Sequence, residues 1–363
     1  MTNELLSALI CQSMPGIGPA GLTKLRVRFN SFSKALQAEP SGLPDPYRKA
    51  LRAYRASPET YLGEAAHIVE TCSADNIDII VIGSESYPPL LAEIDSPPAI
   101  IYIKGETNLL GLPQLAIVGS RQHSAGGEKT AFAFARALAA SGFTITSGMA
   151  LGIDASAHRG AMLQGSTIAV LGTGIDVIYP RRNSEIYHDI INGGGAVVSE
   201  FPPGTPARAG HFPQRNRVIS GLSLGVLVVE AAVRSGSLIT ARLAMEQGRE
   251  VFAIPGSIHN PQSKGCHKLI RDGATLTETA QDIVAELGGM LSFVADKAAS
   301  ESTTAKLGAV ESKVLTDVGF DYIDLDTLVA RCQISVAELI AILTQLELAG
   351  CIENRGGLYS RLS

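Results

Sequence analysis

The chain has 363 residues, 45% of them hydrophobic, and carries a formal net charge of −5. That is room for two or three domains with substantial cores, and it excludes a global basic field, so any anion binding must be local. The five cysteines (Cys11, Cys72, Cys266, Cys332, Cys351) form no CxxC pair, no apolar run nears the roughly 18 residues of a membrane helix, and the start lacks a signal-peptide pattern. A cytoplasmic protein without disulfides is expected.

Residues 1–66 read as a small helical domain of short helices broken by turns. "MPGIGPAGLTKLRVRFNSFSKAL" sets Gly16, Gly18 and Pro19 between two amphipathic segments. This is either a helix-hairpin-helix, whose backbone amides can hold a DNA phosphate, or a plain turn between packed helices.

Residues 67–287 read as an α/β domain. The runs "IDIIVIG", "QLAIVGS", "FTITSG", "TIAVLGTG", "GAVVSE", "SLGVLVVE" and "EVFAIPG" alternate with helical patterns such as 127–141 and 237–248. Short apolar strands between helices predict a parallel sheet covered on both faces, of extended Rossmann type. Ligands of such sheets sit at the carboxyl ends of the strands. The loops at 119–126, 147–153, 172–176 and 235–237 are therefore expected to converge on one site.

Those loops are rich in anion-binding chemistry. Gly119 and Ser120 turn into a helix whose first amides would face the crevice, and Arg121 adds a guanidinium fork. Ser147 and Gly148 end the next strand, and Gly236 and Ser237 open a later helix. Arg208, Arg215 and Arg217 stand in a stretch with no Asp or Glu between Glu200 and Glu230. Glu230, at a strand end, is placed to hold Arg215 or Arg217, and Lys264 can reach the same face. Phe212, Tyr179 and Tyr187 are the few rings nearby.

Enzymatic signatures are weak. "GGEKT" fails the Gly-x4-Gly-Lys spacing of a P-loop, and Val177 stands where a dinucleotide fingerprint needs its third glycine. The histidines have no metal spacing and no GxSxG elbow exists. Asp154 and Asp176 read as helix caps or loop braces, and His158 and His267 as structural. No cofactor, metal or catalytic residue is expected.

Residues 288–306 are small, polar and unpatterned, and read as a linker. Residues 307–363 show helical patterns at 309–318, 324–331 and 335–349, then a hairpin turning at Gly356-Gly357, which suggests a winged helix. Asp317, Asp321, Asp324, Asp326, Glu338 and Glu347 outnumber its bases. A protein-contact or regulatory role is expected of it rather than DNA reading.

The motifs "VGSR", "SGMALGIDASAH", "LGTGIDVIYPRRN", "SEFPPGTPARAGHFPQRNRVISGLS", "EAAVRSGSLITARLAMEQGREVFAIPG" and "KLIRDGA" resemble, in order, the DNA-processing protein A (DprA/Smf) family. The resemblance is dense over residues 80–278. It implies an extended Rossmann-type core between a sterile-alpha-motif-like helical domain and a winged-helix-like domain. It further implies single-stranded DNA binding, homodimerisation, and loading of the recombinase RecA during natural transformation. Carried over residue by residue, Arg121 would contact DNA phosphate, and Arg181, Arg208, Phe212, Arg215 and Lys264 match basic or groove-lining positions. Asn216 and Arg217 would brace the loop against Glu230. His267 stands where similar proteins usually have Asn. The same sheet with Gly-rich loops also resembles nucleotide-processing enzymes of the lysine-decarboxylase-like, cytokinin-activating group, but their Pro-Gly-Gly-x-Gly-Thr loop is replaced here by "RSGSLIT".

Overall fold

The computed structural model describes residues 3–289, 309–319, 322–332, 334–348, 351–355 and 357–361. The chain divides into two compact units at Gly289 and Met290. Of the expected linker, 288–289 close a helix over 280–289, while 290–306 lie outside the described residues, as do Asp321 and Gly356.

Helices α1 (Asn3–Ser13), α2 (Pro19–Phe29), α3 (Phe32–Gln37), α4 (Asp45–Ala56) and α5 (Pro58–Ala74) open the first unit. Their ends follow local chemistry. Pro19 starts α2, where a missing N–H costs nothing, and Asn30 ends it in the left-handed region at φ 55°. Ser31 caps α3 by accepting from the Lys34 N–H. Glu4 of α1 accepts from the Phe32 N–H at 2.7 Å and so ties α1 to α3. The boundary expected after residue 66 falls inside α5, which runs on to Ala74. Leu9, Leu22 and Leu25 of these helices share one apolar cluster with Tyr102, Leu171, Ile186 and Val197 of the α/β part.

The α/β part follows as β1 (Ile77–Val81), α6 (Pro89–Ala92), β2 (Ile100–Gly105), β3 (Gln114–Val118), α7 (Ala125–Ala140), β4 (Thr144–Ser147) and α8 (Ile153–Ala161). It continues as β5 (Thr167–Leu171), α9 (Ser184–Asn192), β6 (Ala196–Ser199), α10 (His211–Leu222) and β7 (Gly225–Val228), then α11 (Gly236–Glu246), β8 (Glu250–Ala253), α12 (Lys264–Arg271), β9 (Thr275–Leu276) and α13 (280–289). The strand order is β1-β2-β6-β5-β4-β3-β7-β8-β9. From β6 to β9 every neighbour is parallel, in registers such as Ala116 opposite Val226. This is the large parallel sheet that the sequence predicts.

One edge departs from expectation. β2, which was not among the expected strands, pairs antiparallel with β6, and β1 pairs antiparallel with β2. Only the four-residue α6 lies between β1 and β2. That is too little helix for the crossover that parallel neighbours need, so the chain simply returns. The two faces differ in cover. α1, α5 and α9 close one, while α10, α11 and α12 close the other through Ile219, Leu222, Ala241, Ala244 and Leu269.

The second unit holds α14 (Ala309–Val318), β10 (Ile323–Asp324), α15 (Leu325–Cys332), α16 (Val336–Leu348), β11 (Ile352–Arg355) and β12 (Leu358–Arg361). These are the helices and hairpin of the expected winged helix. β10 adds a third strand beside β12. Leu328, Leu339, Leu343 and Leu346 fill its core. On α16 the outward Val336, Ile340 and Glu347, spaced four and seven residues apart, make an apolar and acidic face. Among the described residues no helix is long and apolar enough to cross a membrane, and all five cysteines are buried and outside any disulfide.

Candidate functional site

The strand order reverses direction between β3 and β7: the chain leaves β3 toward β4 on one side and later crosses from β6 to β7 on the other. Loops after these strands diverge there and leave a crevice. A groove of about 660 Å³ opens at this point, lined by Gly119, Ser120 and Arg121 after β3, Phe212 and Asn216 on α10, and Gly236 and Ser237 at the start of α11. A smaller recess shares Arg121 and Phe212 and extends to Gly148 and Tyr179. Three of the four expected loops thus converge here, while the loop at 172–176 lines neither opening and meets the site only where Gly172 backs the Phe212 ring.

Close backbone approach shapes the floor. Gly152 has φ +85°, and a Cβ there would press on the Ser120 carbonyl. A Cβ on Gly119 would lie 2.6 Å from Ile153. Glycine at both positions lets the loop after β3 lie directly on the start of α8. Next to it, Met149 is held in the left-handed region at φ 59°, with its carbonyl accepting from the Asn183 side chain at 2.9 Å. A buried non-glycine residue in that conformation stores strain that its surroundings must hold.

Above this floor, Arg121 is exposed and its guanidinium sits 5.8 Å from the centre of the Phe212 ring. Phe212 in turn lies 5.4 Å from Tyr179, which is 45% exposed. A cation and two rings in a row offer charge to phosphates and flat faces to bases. Arg181, Arg208 and Lys264 are exposed as well, but stand outside the groove lining and flank it. Lys264 is fixed by its neighbour, since the Gly265 N–H donates to the Ala231 carbonyl after β7 at 2.7 Å.

Several expected contact residues turn inward instead. Arg215 is only 5% exposed; its guanidinium donates to the carbonyls of Gly148 and Val170 and lies near Asp154. Burial pulls it down to about 10, with Asp154 opposing, so it remains charged at neutral pH. It is a post in the floor of the groove and of the recess, which it lines with its small exposed part, rather than a rim cation. The reason is geometric: Arg215 lies three, four and seven residues before Val218, Ile219 and Leu222, on the buried stripe of α10. Ser147 is fully buried and donates to the Ile117 carbonyl at 2.6 Å. Gly148 gives its N–H to Asp154 at 3.1 Å and its carbonyl to Arg215. Ser147 lines neither opening, and Gly148 borders the recess with its N–H and carbonyl both engaged.

The brace around Glu230 is also different from the expected one. Glu230 holds neither arginine: it accepts from the Ser124 N–H at 2.8 Å and from the Ser124 hydroxyl at 2.6 Å. A Cβ on Gly127 would collide with its carboxylate. So the N-terminus of α7, expected to face an external anion, is already filled by an internal one. Arg217 pairs with Glu200 and donates to the Ser96 carbonyl. Asn216 accepts from the Arg215 Nε at 3.3 Å and donates to the Gly236 carbonyl at 3.4 Å, which steadies the groove wall.

The remaining polar residues are braces. Asp154 is buried, accepts from the N–H groups of Gly148 and Ala150, and is raised by burial against the pull of Arg215. Asp176 accepts from the Gly204 N–H at 2.8 Å. Tyr187 is buried and donates to the Ile175 carbonyl, so it is not a groove ring. His267 Nε2 meets the Gly256 carbonyl at 2.9 Å. His158 is wholly buried. Gln122, Pro213, Ser235 and Gln262 also line the groove. Gln122 and Ser235 lie within expected loops and Tyr179 is legible as a ring beside the "RRN" turn, whereas nothing in the sequence alone marks Pro213 or Gln262.

With this geometry in view, comparison with known proteins is direct. Residues 78–288 match the family model of DNA recombination-mediator protein A, and residues 298–357 match the DprA winged helix domain. Protein Smf of Escherichia coli is 45% identical over 291 residues, covering 79% of this chain and 78% of that protein. Protein Smf of Synechocystis is 32% identical and covers 97% of this chain and 98% of its own length. The X-ray structure of DNA processing protein A from Streptococcus pneumoniae superposes with a TM-score of 0.65 at 36% identity, over 79% of this chain and 98% of that one. DNA processing protein A from Helicobacter pylori, solved to describe its single-stranded DNA binding mode, gives a TM-score of 0.53 at 29% identity, over 59% of this chain and 97% of that one. The chain, with its groove at the turning point of a parallel sheet and its C-terminal winged helix, belongs to the DNA recombination-mediator protein A (DprA/Smf) family.

Proposed function

We propose that this protein binds single-stranded DNA in the groove at the end of β3 and β7, protects incoming strands, and loads RecA onto them during natural transformation in the cytoplasm. The observation that carries the binding step is the row of Arg121, Phe212 and Tyr179 above a neutral, glycine-lined floor. Family membership and the Helicobacter relative's single-stranded DNA binding support it. Arg181, Arg208 and Lys264 extend the positive field past the groove, so a strand can be tracked without a basic protein overall. The reading is one of binding without catalysis, because Asp154, Asp176 and His158 are all engaged as braces. The apolar, acidic face of α16 suits a protein contact rather than DNA.

For roughly four phosphate contacts, log K for a single strand is expected to fall against log salt with a slope of about −3. Arg121→Ala is expected to weaken that binding about tenfold, as loss of one charge-assisted contact, while moving thermal stability little. Anisotropy titrations over a salt series, beside thermal melts, decide the matter. A salt-independent affinity, or a folded Arg121→Ala protein that binds normally, would reject the groove.

The protein is further proposed to be a homodimer through its α/β part. Of the apolar side chains on and just before α12, Leu269 is spent in the core and Ile258 is 66% exposed. A second groove, of about 610 Å³, runs along α11 and α12 beside Val233, Ile239 and Met245, with Arg242, Glu246, Lys268 and Asp272 around it. Exposed apolar side chains ringed by both signs of charge are self-complementary, as a two-fold interface requires. Ile239 lines both grooves, so a dimer would set two strand sites close together and favour long strands. Light scattering should show a dimer that Ile239→Glu with Met245→Glu converts to monomer; a monomeric wild type at micromolar concentration would refute it.

A further inference from the structure

The N-terminal helices hold the chain's densest positive charge. Between Gly21 and Ser57 stand eight Lys and Arg residues against Glu39 and Asp45, a net of +6 in a protein of −5. The two acids are engaged by neighbours: Arg48 pairs with Asp45, and Arg55 approaches Glu39 at 3.9 Å. What is left is an excess of exposed cations on two adjoining helices.

Their arrangement is fixed by packing. Leu25 of α2 and Tyr47, Ala50 and Leu51 of α4 close on one small void, and a Cβ on Gly21 would lie 3.7 Å from the Tyr47 ring. With these inner faces together, Lys24 and Arg28 project one turn apart from α2, and Lys49 and Arg52 one turn apart from α4. Val27, 80% exposed, lies between the first pair. The rings of the region are turned to other tasks: Tyr47 packs against α2, Phe29 packs on the apolar cluster with the Arg28 guanidinium 5.7 Å from its centre, and Tyr54 meets Tyr61 edge-on at 5.8 Å.

We propose that this face of α2 and α4 binds the phosphate backbone of duplex DNA, as a site separate from the groove. The choice of duplex follows from stiffness and charge. A single strand needs stacking platforms to offset its ordering, and this face presents cations without them. Duplex DNA carries one charge per about 1.7 Å of axis, twice the density per strand, and is already rigid. Fixed cations on two helices gain most from such a rod. The face is anchored to the rest of the unit by the Thr23 hydroxyl, which donates to the Pro97 carbonyl at 3.2 Å, beside Ser96 that Arg217 of α10 holds. A molecule with both sites would engage the junction where a single strand leaves a duplex.

The test uses the full chain as wild type, as K24A/K49A/R52A and as Arg121→Ala. Each is titrated with a short single strand, a blunt duplex and a duplex bearing a single-stranded tail, at several salt concentrations. The triple variant should lose about tenfold or more on both duplex probes, and its duplex salt slope should flatten by about 3, at 0.9 per lost contact. Its affinity for the short single strand should stay within about twofold, and its melting point should hold, since the changed side chains are exposed. Unchanged duplex affinity, or a wild type that ignores duplex, overturns the proposal. An equal loss on the short single strand overturns the assignment to duplex. The groove stands or falls separately, on the response of the short single strand to Arg121→Ala.

Discussion

Replacing Arg215 by Met should destabilise the first unit by about 3–5 kcal/mol, because the buried Asp154 would lose the stronger of its two nearby opposite charges, the other being Arg121, and two carbonyls would lose their donor. The side chain is 5% exposed and holds Gly148 and Val170 while facing Asp154. A Cβ on Gly148 would lie 2.8 Å from both the Arg215 guanidinium and the Asp154 carboxylate, so the loop after β4 is clamped between the two. Removing the guanidinium leaves Asp154 with its desolvation and without the main charge that offsets it. Arg215→Lys keeps the charge but not the planar fork that spans two carbonyls, and should fall in between. Urea midpoints of the three proteins provide the measurement, with Arg121→Ala as the exposed control. A loss for Arg215→Met no larger than that control would show that the post supports nothing.

The second large effect concerns acid. His158 is wholly buried, and burial drives its imidazole down to about 3, with Arg215 adding to the shift. Its Nδ1 lies 2.7 Å from the Thr167 hydroxyl, which itself donates to the Ile145 carbonyl. Nδ1 therefore carries the proton, and Nε2 has no hydrogen-bond partner. Protonating Nε2 would bury an N–H with no acceptor. The unfolded chain takes up that proton near pH 6.5 and the folded one does not until about pH 3. Stability from this residue is thus complete above 6.5 and drains by about 1.4 kcal/mol per pH unit as the solution is acidified below it. Asp154 and Glu200, both raised by burial, act in the opposite sense and soften the overall slope. Subtracting a His158→Gln series from the wild type isolates the histidine: the two stability curves should diverge by about 2 kcal/mol between pH 6.5 and 5. Parallel curves would mean that the imidazole charges as readily inside as out.

Much of this architecture can be read in the chain. The runs at 114–118, 144–147, 167–171, 196–199, 225–228 and 250–253 are strands because they are short, apolar and fenced by Gly or Ser, and the helices of the winged unit follow their amphipathic patterns. Strand direction is not legible in the same way. "IIYIKG" is buried as a parallel strand would be, and only the short return from β1 reveals that it runs the other way. The site divides along similar lines. Arg121 and Phe212 announce themselves by type and by the loop they follow. The depth of Arg215 is written in the sequence, as its position on the apolar stripe of α10, but its charge disguises it. The partner of Glu230 could not be found at all, since Ser124 lies 106 residues away and only the folded sheet brings them together.

The chain of contacts from α1 to α10 bears on how the protein comes apart. Gln12 of α1 accepts from the Tyr102 hydroxyl at 2.7 Å and donates to the Glu200 carbonyl, and the Glu200 side chain holds Arg217. The N-terminal helices thus have no core of their own to retire to; their apolar faces and those of β2, β5 and β6 are one interior. Local opening is set by how much interior a segment can expose alone. Amides of α1 and amides of β5 should therefore exchange with solvent in the same event, so that what looks along the chain like a prefix behaves as part of a single melting unit.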